Sequence, residues 1–142
     1  MGFALQATAV DPQGLSAALS DVRAGGLVTF EGRVRDHSGK RAVTALEYEA
    51  FSPLAQKEGD RILAEALEKF GILAASCTHR TGRLAPGDIA VWVGVAAEHR
   101  GDAFTACRYV IDEIKARLPI WKKEHFAQGE AEWVNCAAPP IK

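Results

Sequence analysis

The chain has 142 residues, of which 48% are hydrophobic and 25% charged, and its formal net charge is -1. These values are typical of one globular domain; they exclude a disordered chain and disfavour a general nucleic-acid binder, which carries a clear basic excess. No apolar run approaches the roughly 20 residues that span a membrane, and the first residues lack a signal-peptide pattern. We therefore expect a single cytoplasmic domain over residues 1–142 that binds neither nucleic acid nor membrane.

The first predicted elements are a helix and a strand. Pro12 opens a helix, which we expect to end at the glycine pair that begins with Gly25. The stretch LVTFEGRVR, residues 27–35, alternates apolar and polar side chains with the period of a half-buried strand. That period places Arg33 and Arg35 on one face of the strand.

A hairpin and a second helix are predicted next. The segment DHSGKR has turn chemistry, and the residues after it, AVTALEYEAF, alternate again as a strand. Residues 27–51 are therefore predicted to form a hairpin with an exposed, cationic loop. Ser52 and Pro53 begin a helix that runs to about Phe70, because apolar side chains recur there at helical spacing.

The second half of the chain predicts two strands, a third helix and a final short strand. The strands are ILAASCTHR and DIAVWVGVAAE, and the helix runs from a cap at Asp102 to about Arg117, where Pro119 stops it. An extended turn and the strand AEWVN follow. This mixed order favours an α+β fold with a largely antiparallel sheet, and no glycine-rich strand-to-helix turn supports a doubly wound parallel sheet.

Basic side chains recur at the predicted strand ends, where a sheet scaffold often presents its site residues. His99 and Arg100 precede the third helix, whose free N–H groups favour an anion, and Arg100 can bind a phosphate with two hydrogen bonds. The alternative is that Arg100 pairs with a local carboxylate such as Glu98 or Asp102. The other basic side chains of this kind are Arg33, Arg35, His37, His79, Arg80, Lys115, Lys122 and Lys123.

Two lysines stand out in the segment IKARLPIWKKEHF. Lys115 can be explained as the surface partner of Asp112 three residues earlier. Lys122 follows Ile120 and Trp121, which we expect to anchor the turn in the core. An ammonium held in desolvated surroundings has a lowered pKa and can act as acid, base or nucleophile.

Neither the histidines nor the cysteines predict a metal site. The four histidines show no H-x-x-x-H spacing, and the three cysteines are far apart without a C-x-x-C pair. This pattern disfavours a disulfide framework as well and is typical of a reducing compartment. The residues therefore indicate a small anionic ligand that is handled by arginine and lysine without a metal.

Three motifs taken together resemble the family of the large, catalytic subunit of molybdopterin synthase. They are VTFEGRVRDHSGKRAVTALEYEAF, HRTGRLAPGDIAVWVGVAAEHRGDAF and IKARLPIWKKE, followed by EWV, and they cover more than half of the chain. The resemblance implies an α/β hammerhead fold with an added antiparallel sheet. It also implies a sulfurtransferase of molybdenum cofactor biosynthesis, which converts cyclic pyranopterin monophosphate into molybdopterin by installing two sulfurs, without metal or organic cofactor.

The resemblance also implies partners and site residues. The sulfur donor would be a small ubiquitin-like sulfur-carrier subunit with a C-terminal Gly-Gly thiocarboxylate, and two copies of this chain would form a homodimer within a heterotetramer. The family's catalytic lysines match Lys115 and Lys122. Its substrate-binding positions match Arg35, His99 and Arg100, which are expected to reach the pocket across the dimer interface. Lys123 would be an auxiliary cation, and Phe30 and Ile111 would form an apolar wall. The tail NCAAPPIK departs from the family because it is nearly uncharged.

Two other functions compete with this reading. A non-catalytic module that binds a phosphorylated metabolite would use the same arginines, and it would tolerate the loss of Lys115 and Lys122. An RNA-binding α+β domain would expose aromatic side chains on a sheet face, for which Phe30, Tyr48 and Trp92 are the candidates. The nearly neutral charge disfavours the second of these functions.

Overall fold

The computed structural model describes residues 2–136, which form three helices and two sheets. Most of the tail NCAAPPIK therefore lies outside the described residues. The helices are α1 (Pro12–Ala18), α2 (Ser52–Lys69) and α3 (Arg100–Arg117). The strands are β1 (Phe3–Gln6), β2 (Gly26–Arg33), β3 (His37–Ser38), β4 (Arg41–Ala50), β5 (Ala74–Arg80), β6 (Gly82–Leu84), β7 (Ile89–Ala97), β8 (Ile120–Phe126) and β9 (Glu132–Asn135).

The first sheet has the order β1-β5-β7-β2, with β1 parallel to β5 and the other neighbours antiparallel. Helices α2 and α3 pack on one face and α1 on the other. Gly94 of β7 permits the close approach of α1, because a Cβ at this position would overlap the Trp92 ring and lie 2.7 Å from Leu19. The apolar side chains of β5 and β7 are buried between these layers and form the core.

The second sheet has the order β3-β4-β8-β9, and β6 pairs with β4 beside it. Strand β4 places Tyr48 opposite Lys122 of β8, and β8 in turn pairs with β9. The two sheets meet where the Tyr48 ring contacts the His79 ring of β5 edge to face, with centroids 5.1 Å apart. None of the helices within residues 2–136 is both long enough and apolar enough to cross a bilayer.

The predicted α+β class with a largely antiparallel sheet is confirmed, but the prediction of a hairpin over residues 27–51 is wrong. Strand β2 pairs with β7 and β4 pairs with β8, so the two strands belong to different sheets. Only the tip pairs as expected, with His37 opposite Ala42. A bulge at Gly32/Arg33 and burial of Val34, whose N–H donates to the carbonyl of Asp88, carry the chain from one sheet to the other.

Three further expectations need correction. Helix α1 ends at Ala18 rather than at the glycine pair, since the Asp21 carboxylate accepts the Arg23 N–H at 2.9 Å and forms a turn. Helix α3 begins at Arg100 with His99 as its N-cap, ahead of Asp102. The extended turn after Pro119 is strand β8, which can form because β4 supplies a pairing edge.

Candidate active site

A cavity of about 140 Å³ lies where β4, β8 and the end of α3 meet. Helix α3 contributes Lys115 from its last turn, and β8 contributes Lys122 and Glu124. The chain between β2 and β4 closes another side. The lining residues are Arg33, Arg35, His37, Val43, Leu46, Tyr48, Lys115, Lys122 and Glu124.

Buried apolar neighbours aim the two lysines at this cavity. Ile120 is 2% exposed at the start of β8, and the strand period places Lys122 and Glu124 on the same face as Ile120. Leu118, 1% exposed, fixes the end of α3 one turn after Ile114. Trp121 was expected to anchor this segment but is 47% exposed, because it points to the opposite face of β8. Leu118 and Ile120 are therefore the anchors.

The cavity holds more positive than negative charge. Within residues 2–136, Arg35, Lys115 and Lys122 form no ion pair and no side-chain hydrogen bond, and Glu124 is the single carboxylate in the lining. Arg33 is different, since its guanidinium binds Glu31 at 2.6 Å. Three unpaired cations around so small a space make it suited to an anion.

Lys115 has an altered acidity. Burial lowers the pKa of its ammonium, the negative charge of a Cys136 thiolate would oppose that shift, and the positive charge of Lys122 lowers the pKa further. The side chain as a whole retains solvent-exposed surface, so water moderates the shift. An ammonium with a lowered pKa gives up a proton more readily than an ordinary lysine, as a proton donor in catalysis must.

Tyr48 and His79 form the wall between the two sheets. Tyr48 is 6% exposed, and burial raises the pKa of its hydroxyl, with a smaller contribution from Cys136 and Glu124. Burial lowers the pKa of His79 to about 4, so this imidazole is neutral around neutral pH. Its Nδ1–H then donates to the Arg80 carbonyl oxygen at 2.8 Å.

His99 and Arg100 lie far from this cavity in the same chain. Residues 100 and 115 are 15 positions apart on α3, which corresponds to about 22 Å at a helical rise of roughly 1.5 Å per residue. Both side chains are exposed, and within residues 2–136 neither forms an ion pair or a side-chain hydrogen bond. The alternative of a local partner for Arg100, Glu98 or Asp102, is therefore not observed.

The remaining candidate residues lie elsewhere. Lys123 is on the outer face of β8, where its ammonium sits 5.5 Å above the Trp133 ring. Phe30 and Ile111 line a separate apolar groove between β2 and α3, together with the exposed Phe104.

Sequence reasoning missed several members of the cavity. Glu124 and Tyr48 line it directly, and the Cys136 thiol is close enough to influence the pKa of Lys115. The period of two along IWKKEHF would have placed Glu124 beside Lys122, but the segment had been interpreted as a turn. Tyr48 had been considered only as an exposed RNA-stacking residue, whereas Tyr48 and Trp92 are both buried. Within residues 2–136 no three His, Cys, Asp or Glu side chains are grouped so that they could hold a metal ion.

Comparison with known proteins gives consistent results. The sequence model described as MoaE protein matches residues 5–117. The molybdopterin synthase catalytic subunit of Pyrococcus abyssi is 45% identical over 119 residues, which are 84% of this chain and 80% of that protein. A molybdopterin synthase structure from Staphylococcus aureus superposes with a TM-score of 0.87 at 34% identity and covers 92% of this chain and 95% of its own. A complex of subunits 1 and 2 of the Helicobacter pylori molybdopterin-converting factor shares the fold at 18% identity, with a TM-score of 0.71 and coverage of 89% and 90%.

Proposed function

The chain belongs to the MoaE protein family, and on this premise we propose that it is the catalytic subunit of a molybdopterin synthase. As a sulfurtransferase, it converts cyclic pyranopterin monophosphate into molybdopterin by transferring two sulfurs from a thiocarboxylate. The observation that carries this proposal is the set of three cations, Arg35, Lys115 and Lys122, left without ion pairs around one small cavity.

The charges of the cavity suit the reaction. A thiocarboxylate is already an anion at neutral pH, so its sulfur needs no general base before it attacks. It must instead approach a second anion, the phosphorylated pterin, and cations allow two like charges to come together. Lys122 and Lys115 steer the thiocarboxylate, stabilise oxyanions and protonate departing oxygens, and the lowered pKa of Lys115 supports its role as proton donor.

The proposed sulfur donor is a small ubiquitin-like subunit whose tail ends in Gly-Gly thiocarboxylate. A cavity of about 140 Å³ leaves little room for side chains, and a tail that ends in two glycines suits such a space. The tail binds as an extended segment, and its terminal charge meets the unpaired cations.

A homodimer completes the proposed site. Arg100 and His99 are expected to bind the pterin phosphate, yet they lie about 22 Å along α3 from Lys115 of their own chain. Strand β2 is an edge of its sheet, and the adjoining groove exposes Phe30 and Phe104. A second copy packed on this groove would bring its own Arg100 toward the lysine cavity. One small subunit bound to each copy gives a heterotetramer.

We place this single domain in the cytoplasm, in keeping with its three unpaired cysteines, which are typical of a reducing compartment. The wall positions proposed for Phe30 and Ile111 then belong to the dimer groove, and Lys123 acts from outside the cavity as an auxiliary cation.

Substitution of Lys115 tests the enzymatic function. Lys115→Ala should abolish dithiolene formation in a single-turnover reaction with thiocarboxylated carrier protein, while the fold and the complex with the carrier persist. Lys57→Ala is the matched control, because it removes an exposed lysine of α2 that does not line the cavity. Near-normal product from Lys115→Ala would contradict the catalytic assignment and favour the non-catalytic module that binds a phosphorylated metabolite.

A further inference from the structure

The Tyr48 hydroxyl is a polar group of the cavity that the proposed chemistry does not use. The Tyr48 side chain lines the cavity, and the residue is 6% exposed. Within residues 2–136 no protein atom forms a hydrogen bond with its hydroxyl. A hydroxyl that lines a cavity and has no protein partner is available to donate to a group that enters the cavity.

We propose that the Tyr48 hydroxyl is a catalytic hydrogen-bond donor, which stabilises the oxyanion that forms when the carrier's acyl group is removed from the transferred sulfur. This assignment rests on the proposed function, because it concerns one step of that reaction. It adds a neutral donor to a cavity that also contains arginine and lysine cations.

The step follows from the bonds that must change. When the thiocarboxylate sulfur bonds to a pterin carbon, the bond between that carbon and a hydroxyl oxygen breaks and the protonated oxygen leaves as water. The product is a thioester that joins carrier and pterin. To leave sulfur on the pterin, the bond between sulfur and the acyl carbon must break. Water attacks the acyl carbon and gives a tetrahedral oxyanion, which collapses to a carboxylate on the carrier and a thiolate on the pterin, with release of two protons. A donor placed beside that oxygen lowers the barrier.

The surroundings of Tyr48 fix the hydroxyl in place. Its ring rests edge to face on the His79 ring, at an interplanar angle of 73°. In the antiparallel pair β4–β8, Tyr48 lies directly opposite Lys122, so both side chains leave the sheet on the cavity side. The phenol therefore cannot rotate away from the cavity without losing its contact with the His79 ring.

The neutral Tyr48 hydroxyl supplements the lysines, because it donates a hydrogen bond without adding a charge. The Lys115 and Lys122 ammonium groups are needed to offset the two substrate charges. Tyr48 is surrounded by groups that keep its proton in place, since burial and the nearby Glu124 and Cys136 raise its pKa. It therefore remains a donor throughout the working pH range.

The test uses both tyrosines of the chain. Tyr48→Phe removes the hydroxyl and keeps the ring that packs on His79. Tyr109→Phe is the matched control, because Tyr109 donates to Glu65 at 2.7 Å on the α2–α3 surface, outside the cavity. Both variants and the wild type react with cyclic pyranopterin monophosphate and a ubiquitin-like carrier protein that bears a Gly-Gly thiocarboxylate. Quenched samples are followed by mass spectrometry of the intact carrier.

We expect Tyr48→Phe to release the carrier about 100-fold more slowly, as loss of one oxyanion donor does, and the covalent carrier–pterin thioester to accumulate. The KM for the pterin, the affinity for the carrier and the Tm should stay close to those of the wild type. Tyr109→Phe should release the carrier at the wild-type rate.

Accumulation of the thioester separates a catalytic role from a structural one, because misfolding would slow every step without trapping an intermediate. Wild-type release by Tyr48→Phe, or slow turnover without thioester, would overturn the assignment. An inactive wild type would instead overturn the proposed function and this inference with it.

Discussion

Mixing two inactive variants tests whether each site is built from two chains. Arg100→Ala and Lys115→Ala remove groups that lie about 22 Å apart on α3 of one chain. If each site combines Lys115 of one chain with Arg100 of the other, then in a dimer of one chain of each kind one site lacks both groups and the other contains both. Such a dimer would have one intact site, although we expect each parent variant to be inactive.

The expected magnitude follows from counting dimers. If chains exchange freely at equal concentrations, about half of the dimers are mixed, and about a quarter of all sites are intact. Activity of the mixture should approach about 25% of the wild-type value, measured as molybdopterin formed per chain after denaturation and joint refolding. A site built within one chain predicts no activity in the same mixture.

A second mixture gives an independent answer. Wild type combined with the double variant Arg100→Ala/Lys115→Ala contains no intact site in any mixed dimer, if the groups act across the interface. Activity should then fall to about a quarter of the wild-type value, whereas a site within one chain retains about half. Inactivity of the first mixture together with about half activity of the second would refute the two-chain site.

Two further predictions concern stability. Gly94→Ala should cost about 1–3 kcal/mol of folding free energy, because the new Cβ overlaps the Trp92 ring, and calorimetry should show a lowered Tm. Gly101→Ala is the control, because no atom lies within 4 Å of its Cβ, and its Tm should be unchanged or raised. Equal Tm values for the two variants would contradict the packing argument. Glu65→Gln should destabilise the protein at neutral pH, because Arg117 first and then Tyr109 lower the pKa of Glu65 from 4.5 to about 2. A carboxyl group whose pKa is lower in the folded than in the unfolded state stabilises the protein above the unfolded pKa, and this stabilisation is lost as the pH falls through the folded pKa. Urea unfolding should therefore show that the difference in unfolding free energy between Glu65→Gln and wild type narrows from about pH 4.5 to about pH 2. A difference that is constant across this range would rule out the carboxylate as its source.

Periodicity was enough to predict most elements of this fold, and it failed where long-range contacts decide. Helices α2 and α3 carry continuous apolar stripes, so their existence and approximate ends were predictable. The pairing partner of β2 was not predictable, because the local turn chemistry favoured β4. The bulge at Gly32/Arg33 and the burial of Val34 direct β2 and β4 into different sheets. A local sequence pattern does not show which strand, distant in the sequence, will pair with a given strand.

The candidate site divides in the same way. Lys115 and Lys122 were recognisable from a proline-stopped helix and the family motif, and both line the cavity. Glu124 and Tyr48 were missed because their roles depend on the register of β8 against β4. The prediction that Trp121 anchors the segment in the core was wrong, because successive residues of a strand point to opposite faces. Since Ile120 is buried, Trp121 faces away from the core.

The strand alternation of β8 also limits how this segment can change length. A deletion of one residue between Pro119 and Lys122 would move Lys123 into the place of Lys122, so a lysine would still reach the cavity. The same slip would bring His125 into the place of Glu124 and remove the cavity's carboxylate. If the deleted residue were Trp121 rather than Ile120, β8 would also lose the residue that lies opposite Asn135 of β9. The doubled lysine thus protects the positive charge of the cavity against a register error, but it does not protect the acid beside it.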